Sequence, residues 1–218
     1  MWFAGPARLV PEAGRPAALR TGFVLKPGMR VGLYGGSFNP VHEGHLHVAR
    51  TAITRLNLDR VIWLVSPQNP LKSSKDTAPL KQRLADVTRA IGDSRMIVSD
   101  IETRLGSQFT IDTLRLLKAR YPGVHFVWIM GADSLKDVHR WRGWTQLMRE
   151  VPVAVVSRPW ASLKARLSPA ARRFARYRHP AREAPLLATL KAPAWVYLRG
   201  PFNFASSTAM RERMRAKP

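Results

Sequence analysis

The stretch GLYGGSFNPVHEGHLHVAR, residues 32–50, guides the interpretation of the whole chain. An apolar run ends in Gly35 and Gly36, a turn containing a proline follows, and a helical pattern then begins. An apolar run closed by glycine is typical of a buried strand, and the spacing that follows is typical of a helix with one apolar face. His42 and His45 lie at the start of that helix. The order strand, turn, helix predicts a ligand site at this turn.

Strands and helices alternate along the rest of the chain. The apolar runs predict strands in residues 30–36, 59–67, 95–100, 124–133, 151–159 and 194–198. Helical patterns occupy residues 43–56, 78–91, 110–122, 145–151 and 206–215. The strands are almost continuously apolar, as expected when helices cover both faces of a sheet. This pattern predicts an α/β fold with a doubly wound parallel sheet, whose ligands bind at the carboxyl ends of the strands.

Two segments fall outside this alternation. Residues 1–29 are rich in Pro and Gly and are predicted to form an irregular N-terminal arm, and residues 30–218 are predicted to form a single domain. Within that domain, residues 160–190 are rich in Ala, Arg and Pro and have little periodicity. We expect them to form a helical insertion.

The composition limits the classes of function. The chain has 218 residues and no cysteine, which excludes disulfides and thiolate metal sites and favours a reducing cytoplasm. No apolar run approaches the ~20 residues that span a bilayer, so no membrane partner is expected. The net charge is +22, and residues 151–218 carry 14 basic and 2 acidic residues. We expect a solvated basic surface that attracts anions, with a dedicated polyanion site as the alternative.

The two histidines are compatible with two chemistries. A zinc protease motif needs two histidines four residues apart on a helix, but HEGH spaces them by three and Leu46 occupies the required position. No metal site is therefore predicted. A phosphate site fits better, because Gly35 and Gly36 let backbone N–H groups approach an anion and the helix start is positive. His42 and His45 would add imidazole donors to charge that builds up on transferred phosphate.

GGSFNPVHEGH and SSTAMRER resemble the two signatures of the HxGH nucleotidyltransferase superfamily. NPLK, SQFTIDTL, GADSL and SRP are similar to motifs of bacterial nicotinate-nucleotide adenylyltransferases. The resemblance covers about residues 30–215 and implies a Rossmann-like nucleotidyltransferase fold. It also implies that ATP and nicotinate mononucleotide give deamido-NAD and pyrophosphate in NAD biosynthesis. Mg²⁺ is expected on the ATP phosphates, held mainly by them and by water.

The same resemblance implies roles for individual residues. The catalytic residues would be His42, His45 and Arg211. The ATP-binding residues would be Gly35, Gly36, Ser37, Phe38, Arg158, Ser206, Ser207 and Thr208. The substrate-binding residues would be Lys72, Thr110, Thr113, Asp133, Trp141 and Arg142. Phe109 would be an aromatic neighbour of the acceptor, Trp141 a stacking surface for its pyridine ring, and Arg142 a backbone N–H donor to its carboxylate.

Three other functions stay open at this stage. Phosphopantetheine adenylyltransferases share both signatures, although NPLK and FTIDTL fit the nicotinate family better. The acceptor could also be the amidated nicotinamide mononucleotide. An RNA-binding module would use the basic C-terminal third, but it would need stacking aromatic residues, and Phe174 and Tyr177 offer few of them. An RNA partner is therefore not expected, and the sequence does not decide the oligomeric state.

Overall fold

A computed structural model describes residues 21–67, 77–107, 109–157, 162–200 and 210. The strands are β1 (Arg30–Gly36), β2 (Arg60–Val65), β3 (Met96–Ser99), β4 (His125–Gly131), β5 (Val153–Val156), β6 (Arg178–His179) and β7 (Trp195–Leu198). The α-helices are α1 (Glu43–Arg55), α2 (Leu80–Ala90), α3 (Ile101–Arg104), α4 (Thr110–Arg120), α5 (Ala132–Asp137), α6 (Trp144–Glu150), α7 (Ser162–Arg166) and α8 (Pro169–Arg173). Short 3-10 helices lie at Val138–Arg140, Ala175–Tyr177 and Ala181–Thr189.

The seven strands of the described residues belong to one sheet, in the order β3-β2-β1-β4-β5-β7-β6. Every paired strand is parallel to its neighbour. The predicted doubly wound parallel sheet is therefore confirmed. The strand order reverses between β1 and β4, whose carboxyl ends are Gly36 and Gly131. In open α/β sheets the ligand crevice lies at this reversal, so the turn after β1 stands where a site is expected.

Apolar residues cover both faces of the sheet. Neighbouring residues of a strand point to opposite faces, so Leu33 belongs to one core cluster and Tyr34 to the other. Helix α1 packs on the Tyr34 side through residues such as Ile53. Helices α4 and α6 pack on the Leu33 side through Leu114 and Leu147. These two layers bury β1 and β4 from both sides and so place the turn that follows β1.

The structure contains elements that the pattern did not predict. Helix α3 has four residues and β6 has two, so both are too short to show a period. Helix α5 follows β4 without a break and begins at Ala132, whereas the apolar run predicts a strand as far as residue 133. The predicted insertion at 160–190 contains α7, α8 and two 3-10 helices, with β6 between the latter. Helices α7 and α8 pack against α5, next to the carboxyl end of β4.

Residues 21–29, the described part of the predicted arm, form no helix or strand and lie against the end of α4. The rings of Phe23 and Tyr121 stack with their centroids 5.8 Å apart. The hydroxyls of Thr21 and Tyr121 both donate to the Phe23 carbonyl, each at 2.7 Å. The predicted last helix, 206–215, lies outside the described residues except Met210, which is helical. Among the described helices, none has the length and apolar character needed to cross a membrane.

Candidate active site

The turn after β1 is shaped by packing of aromatic rings against glycine. A Cβ atom at Gly35 would lie 2.7 Å from Cη2 of Trp128, which is fully buried on β4. A Cβ at Gly36 would lie 2.9 Å from Cζ of Phe38. Phe38 itself is buried and has a positive φ of 45°, so its ring folds back over the end of the strand. Both glycines are thus required by the protein's own packing, and their predicted ATP contacts remain a prediction.

The same turn leads to the two histidines, which the structure brings together. His42 is the N-cap residue of α1 and His45 is the third residue of the helix. Their ring centroids are 3.8 Å apart with an angle of 31° between the planes. The His45 ring also meets the edge of Phe38, with 5.1 Å between centroids. The pair therefore lies at the carboxyl end of β1, at the start of α1, as the motif predicts.

One hydrogen bond defines how His45 is oriented. The backbone N–H of His42 donates to Nδ1 of His45 at 3.3 Å. Because Nδ1 accepts this bond, the proton of the neutral imidazole is on Nε2. His45 thus combines a structural role at the helix start with an Nε2–H group that is a hydrogen-bond donor. Such a donor suits an anion at the positive end of a helix.

The residues predicted to bind the acceptor mononucleotide come from two segments that pack against each other. The guanidinium of Arg142 lies over the ring of Phe109, 4.4 Å from its centroid. Gly143 has a φ of 69°, and a Cβ there would lie 2.8 Å from Cγ2 of Ile111. The half-buried Trp141 meets the fully buried Trp128 edge-on, with ring centroids 6.4 Å apart. Trp141 is therefore linked through Trp128 to the strand that also packs on Gly35.

Thr110 and Thr113 have different surroundings. Thr110 is the first residue of α4 and is partly exposed. Thr113 is fully buried, and its hydroxyl donates to the Ser107 hydroxyl at 3.0 Å. Ser107 in turn donates to the Phe109 carbonyl at 3.1 Å. Thr113 thus orders the turn before α4 in this structure, and its predicted direct contact with the substrate stays a prediction.

Of the other predicted residues, the structure describes Asp133 and Ser37. Asp133 is exposed in the first turn of α5, directly after β4. Ser37 lies in the turn after β1, and its carbonyl accepts a hydrogen bond from Arg83. The remaining predictions lie outside the described residues: Lys72, Arg158, Ser206, Ser207, Thr208 and Arg211.

Two buried charged residues were missed by the sequence analysis. Arg83 of α2 is only 2% exposed and donates to four backbone carbonyls around the turn. The sequence feature that could have indicated its burial is its place on the helical face that also carries Leu80 and Val87. Glu102 of α3 is also buried, and burial raises the pKa of its carboxyl to about 7. No sequence signal marked Glu102, since a four-residue helix shows no periodic face.

The sheet order and the histidine pair at its reversal define a nucleotidyltransferase-type α/β protein, and residues 33–213 match the family described as cytidylyltransferase-like. A probable nicotinate-nucleotide adenylyltransferase of Caulobacter sp. (strain K31) is 74% identical over 185 residues, which cover 85% of this chain and 98% of the relative. A protein of the same name from Methylorubrum extorquens is 54% identical over 185 residues, 85% of this chain and 100% of the relative. The chain belongs to the nicotinate-nucleotide adenylyltransferase family, as the motifs predict.

A solved structure agrees with the fold. Plasmodium falciparum nicotinic acid mononucleotide adenylyltransferase complexed with APC superposes with a TM-score of 0.62. The superposition covers 84% of this chain and 83% of that one at 19% sequence identity. At this identity the likeness concerns the fold, and the predicted Rossmann-like nucleotidyltransferase fold is confirmed.

Proposed function

We propose that this chain transfers the adenylyl group of ATP to nicotinate mononucleotide, giving deamido-NAD and pyrophosphate in NAD biosynthesis. The observation that carries the proposal is the pair His42 and His45, whose ring centroids lie 3.8 Å apart at the start of α1, beside the strand-order reversal. Family membership supports the choice of reaction, because relatives at 74% and 54% identity carry this activity in their names. The proposed site in the cell is the cytoplasm.

In the proposed reaction, a phosphate oxygen of nicotinate mononucleotide attacks the α-phosphorus of ATP. The bond from the α-phosphorus to the oxygen bridging it to the β-phosphorus breaks, and pyrophosphate leaves with those electrons. The attacking phosphate is already an anion, so no strong base and no covalent enzyme intermediate are needed. What the protein supplies is positioning and donors for the developing charge. We assign that role to His42 and to the Nε2–H of His45.

We propose that Mg²⁺ accompanies ATP. Mg²⁺ prefers oxygen ligands in octahedral geometry and usually keeps several waters. Within the described part of the chain, no three acidic or histidine side chains are grouped so that they could hold a metal ion. We expect the ion to arrive on the phosphates and to be held mainly by them and by water. Bound there, Mg²⁺ would neutralise charge on the leaving pyrophosphate.

The acceptor side of the proposal rests on the packed segments of Phe109 and Trp141. Trp141 is half-buried and offers an aromatic face at the edge of the core. The backbone that follows it, at Arg142, is proposed to face the carboxylate of the nicotinate ring. The guanidinium of Arg142 stacks on Phe109, which keeps the two segments together and leaves the backbone as the proposed donor.

Pyrophosphate release tests the proposed function. The purified enzyme is assayed with ATP and Mg²⁺ against nicotinate mononucleotide, nicotinamide mononucleotide and phosphopantetheine, each offered separately. The proposal predicts the highest kcat/KM with nicotinate mononucleotide. A preference for phosphopantetheine would move the chain to the sister family, and equal rates with both mononucleotides would indicate dual specificity.

A further inference from the structure

Arg83 occupies a core position on the buried face of α2, the face that also carries the buried Val87. It is 2% exposed, while its neighbours Lys81, Gln82 and Ala85 are exposed. Arginine is almost never fully buried unless its charge is satisfied by partners. The burial of Arg83 therefore points to a specific set of contacts at the guanidinium.

The guanidinium of Arg83 joins three segments of the chain. Its Nη1 donates to the carbonyl of Ser37, after β1, and to that of Ser66, after β2, both at 2.8 Å. Its Nη2 donates to the Pro67 carbonyl at 2.9 Å. Its Nε donates to the Ala78 carbonyl, just before α2, at 2.9 Å. These bonds use four of the five N–H groups of an arginine, in the planar geometry that only a guanidinium provides.

Other hydrogen bonds tie the same segments together. The backbone N–H of Ala78 donates to Oδ1 of Asn39 at 3.1 Å. The backbone N–H of Ser66 donates to the Gly36 carbonyl at 3.0 Å. The turn 36–39 is thus held at Gly36, Ser37 and Asn39, three residues before His42 at its nearest. Arg83 is the one member of this set that contacts all three segments.

The four acceptors of Arg83 are neutral carbonyls, and among the described residues it forms no ion pair with a carboxylate. Burial lowers the pKa of the guanidinium, yet arginine keeps its proton in proteins. A positive charge therefore lies beneath the turn that precedes the histidine pair. A fixed cation at this point favours the binding of an anion to the turn.

We propose that Arg83 is a positioning residue for adenylyl transfer: it fixes the turn 36–39, and through it the start of α1 with His42 and His45, relative to the ends of β2 and α2. The inference rests on the proposed function for its chemistry, because the turn is the predicted ATP-phosphate loop. Arg83 acts through the backbone of that turn and contacts no substrate. Lysine can replace it only in part, since its three donors sit on one nitrogen atom, whereas Arg83 makes four bonds from three nitrogen atoms.

Steady-state kinetics test this role with Arg83→Lys and Arg83→Ala. Arg89→Met is the matched control, because Arg89 is on the same helix, is exposed, and forms a surface ion pair with Asp86. We expect kcat to fall by about 10² in Arg83→Ala, the loss typical of a misplaced catalytic geometry. Arg83→Lys should lose less, Arg89→Met should match the wild type, and added methylguanidinium should restore part of the kcat of Arg83→Ala.

If Arg83 only stabilised the fold, the two variants would behave differently. Both variants would then melt at lower temperature but, assayed where circular dichroism shows them folded, would have wild-type kcat and no response to methylguanidinium. That outcome would overturn the inference. If Arg83→Ala does not fold, Arg83→Lys alone decides the matter, since unchanged kcat in this folded variant contradicts a positioning role.

Amide hydrogen exchange separates this inference from the proposed function. It is measured on the ligand-free enzyme, so it needs no turnover. Arg83→Lys should exchange faster than the wild type in residues 36–42 and unchanged in β4, at the centre of the sheet. If the wild type fails to adenylylate nicotinate mononucleotide, the proposed function fails while this measurement still reports whether Arg83 holds the turn. Unchanged exchange in residues 36–42 would contradict the role of Arg83.

Discussion

The two roles of His45 can be separated by substitution. Its Nδ1 accepts the backbone N–H of His42 at 3.3 Å, and its ring contacts Phe38. Glutamine is a standard partner at the third position of a helix, because its side chain reaches back to the backbone N–H of the N-cap residue. His45→Gln should therefore keep the helix start and lose the imidazole, whereas His45→Ala loses both.

The magnitudes follow from these contacts. Removing the acceptor of one backbone N–H costs about 1 kcal/mol of net stability, so His45→Ala should lower the free energy of unfolding by about that amount. His45→Gln should stay close to the wild type. Turnover should fall in both variants by roughly 10²–10³, the effect of removing one donor to a developing oxyanion.

Urea unfolding and pyrophosphate release measure the two effects on the same preparations. His125→Gln serves as the control, because His125 is the first residue of β4, at the end of the sheet opposite the candidate site. The control should match the wild type in kcat. Wild-type turnover by folded His45→Gln would refute the assignment of His45 to the reaction, whatever its effect on stability.

Three further predictions concern specificity, pH and salt. Nicotinate mononucleotide should exceed the nicotinamide form in kcat/KM by on the order of 10² or more, because the amide leaves carboxylate-directed donors unpaired; equal values would contradict this. Burial raises the pKa of Glu102 to about 7, so above pH 4.5 the native state keeps a proton that the unfolded state has released. The free energy of unfolding should therefore fall by up to about 3 kcal/mol as the pH rises from 4.5 to 7. Glu102→Gln should flatten that dependence in urea titrations, and an unchanged slope would argue against a buried protonated carboxyl. The exposed Arg172, Arg173 and Arg176, in and just after α8, should steer anionic substrates to the enzyme. Because salt screens this attraction, kcat/KM should fall with added salt more than kcat does. Neutralising the three arginines should flatten the dependence of kcat/KM on salt. Submicromolar RNA binding at physiological salt, lost in the triple variant, would favour a nucleic-acid role instead.

The sheet could be predicted because its strands carry their own signal. The apolar runs around Leu33, Ile62 and Ile129 are covered on both faces, and each ends near glycine or proline. Helix α1 was predictable from its apolar spacing. The two-residue β6 was not, because so short a strand has no period and forms only by pairing with β7.

The site was predictable where a local motif carries it. His42 and His45 are three residues apart, so one helix start brings them together wherever the rest of the chain lies. Arg83 depends instead on carbonyls of residues 37, 66, 67 and 78, which only the folded sheet brings together. The sequence also does not show why residue 35 is a glycine, because the space beside it is filled by Trp128, which comes from a strand distant in sequence.

Product analysis distinguishes direct transfer of the adenylyl group to nicotinate mononucleotide from every other use of ATP. The enzyme is incubated with ATP labelled in the α-phosphate, nicotinate mononucleotide and Mg²⁺, and the products are identified by mass spectrometry. We predict deamido-NAD carrying the label and pyrophosphate in equal amounts, with neither formed when the mononucleotide is omitted. Label bound to the protein, or pyrophosphate released without a dinucleotide, would contradict direct transfer to the mononucleotide.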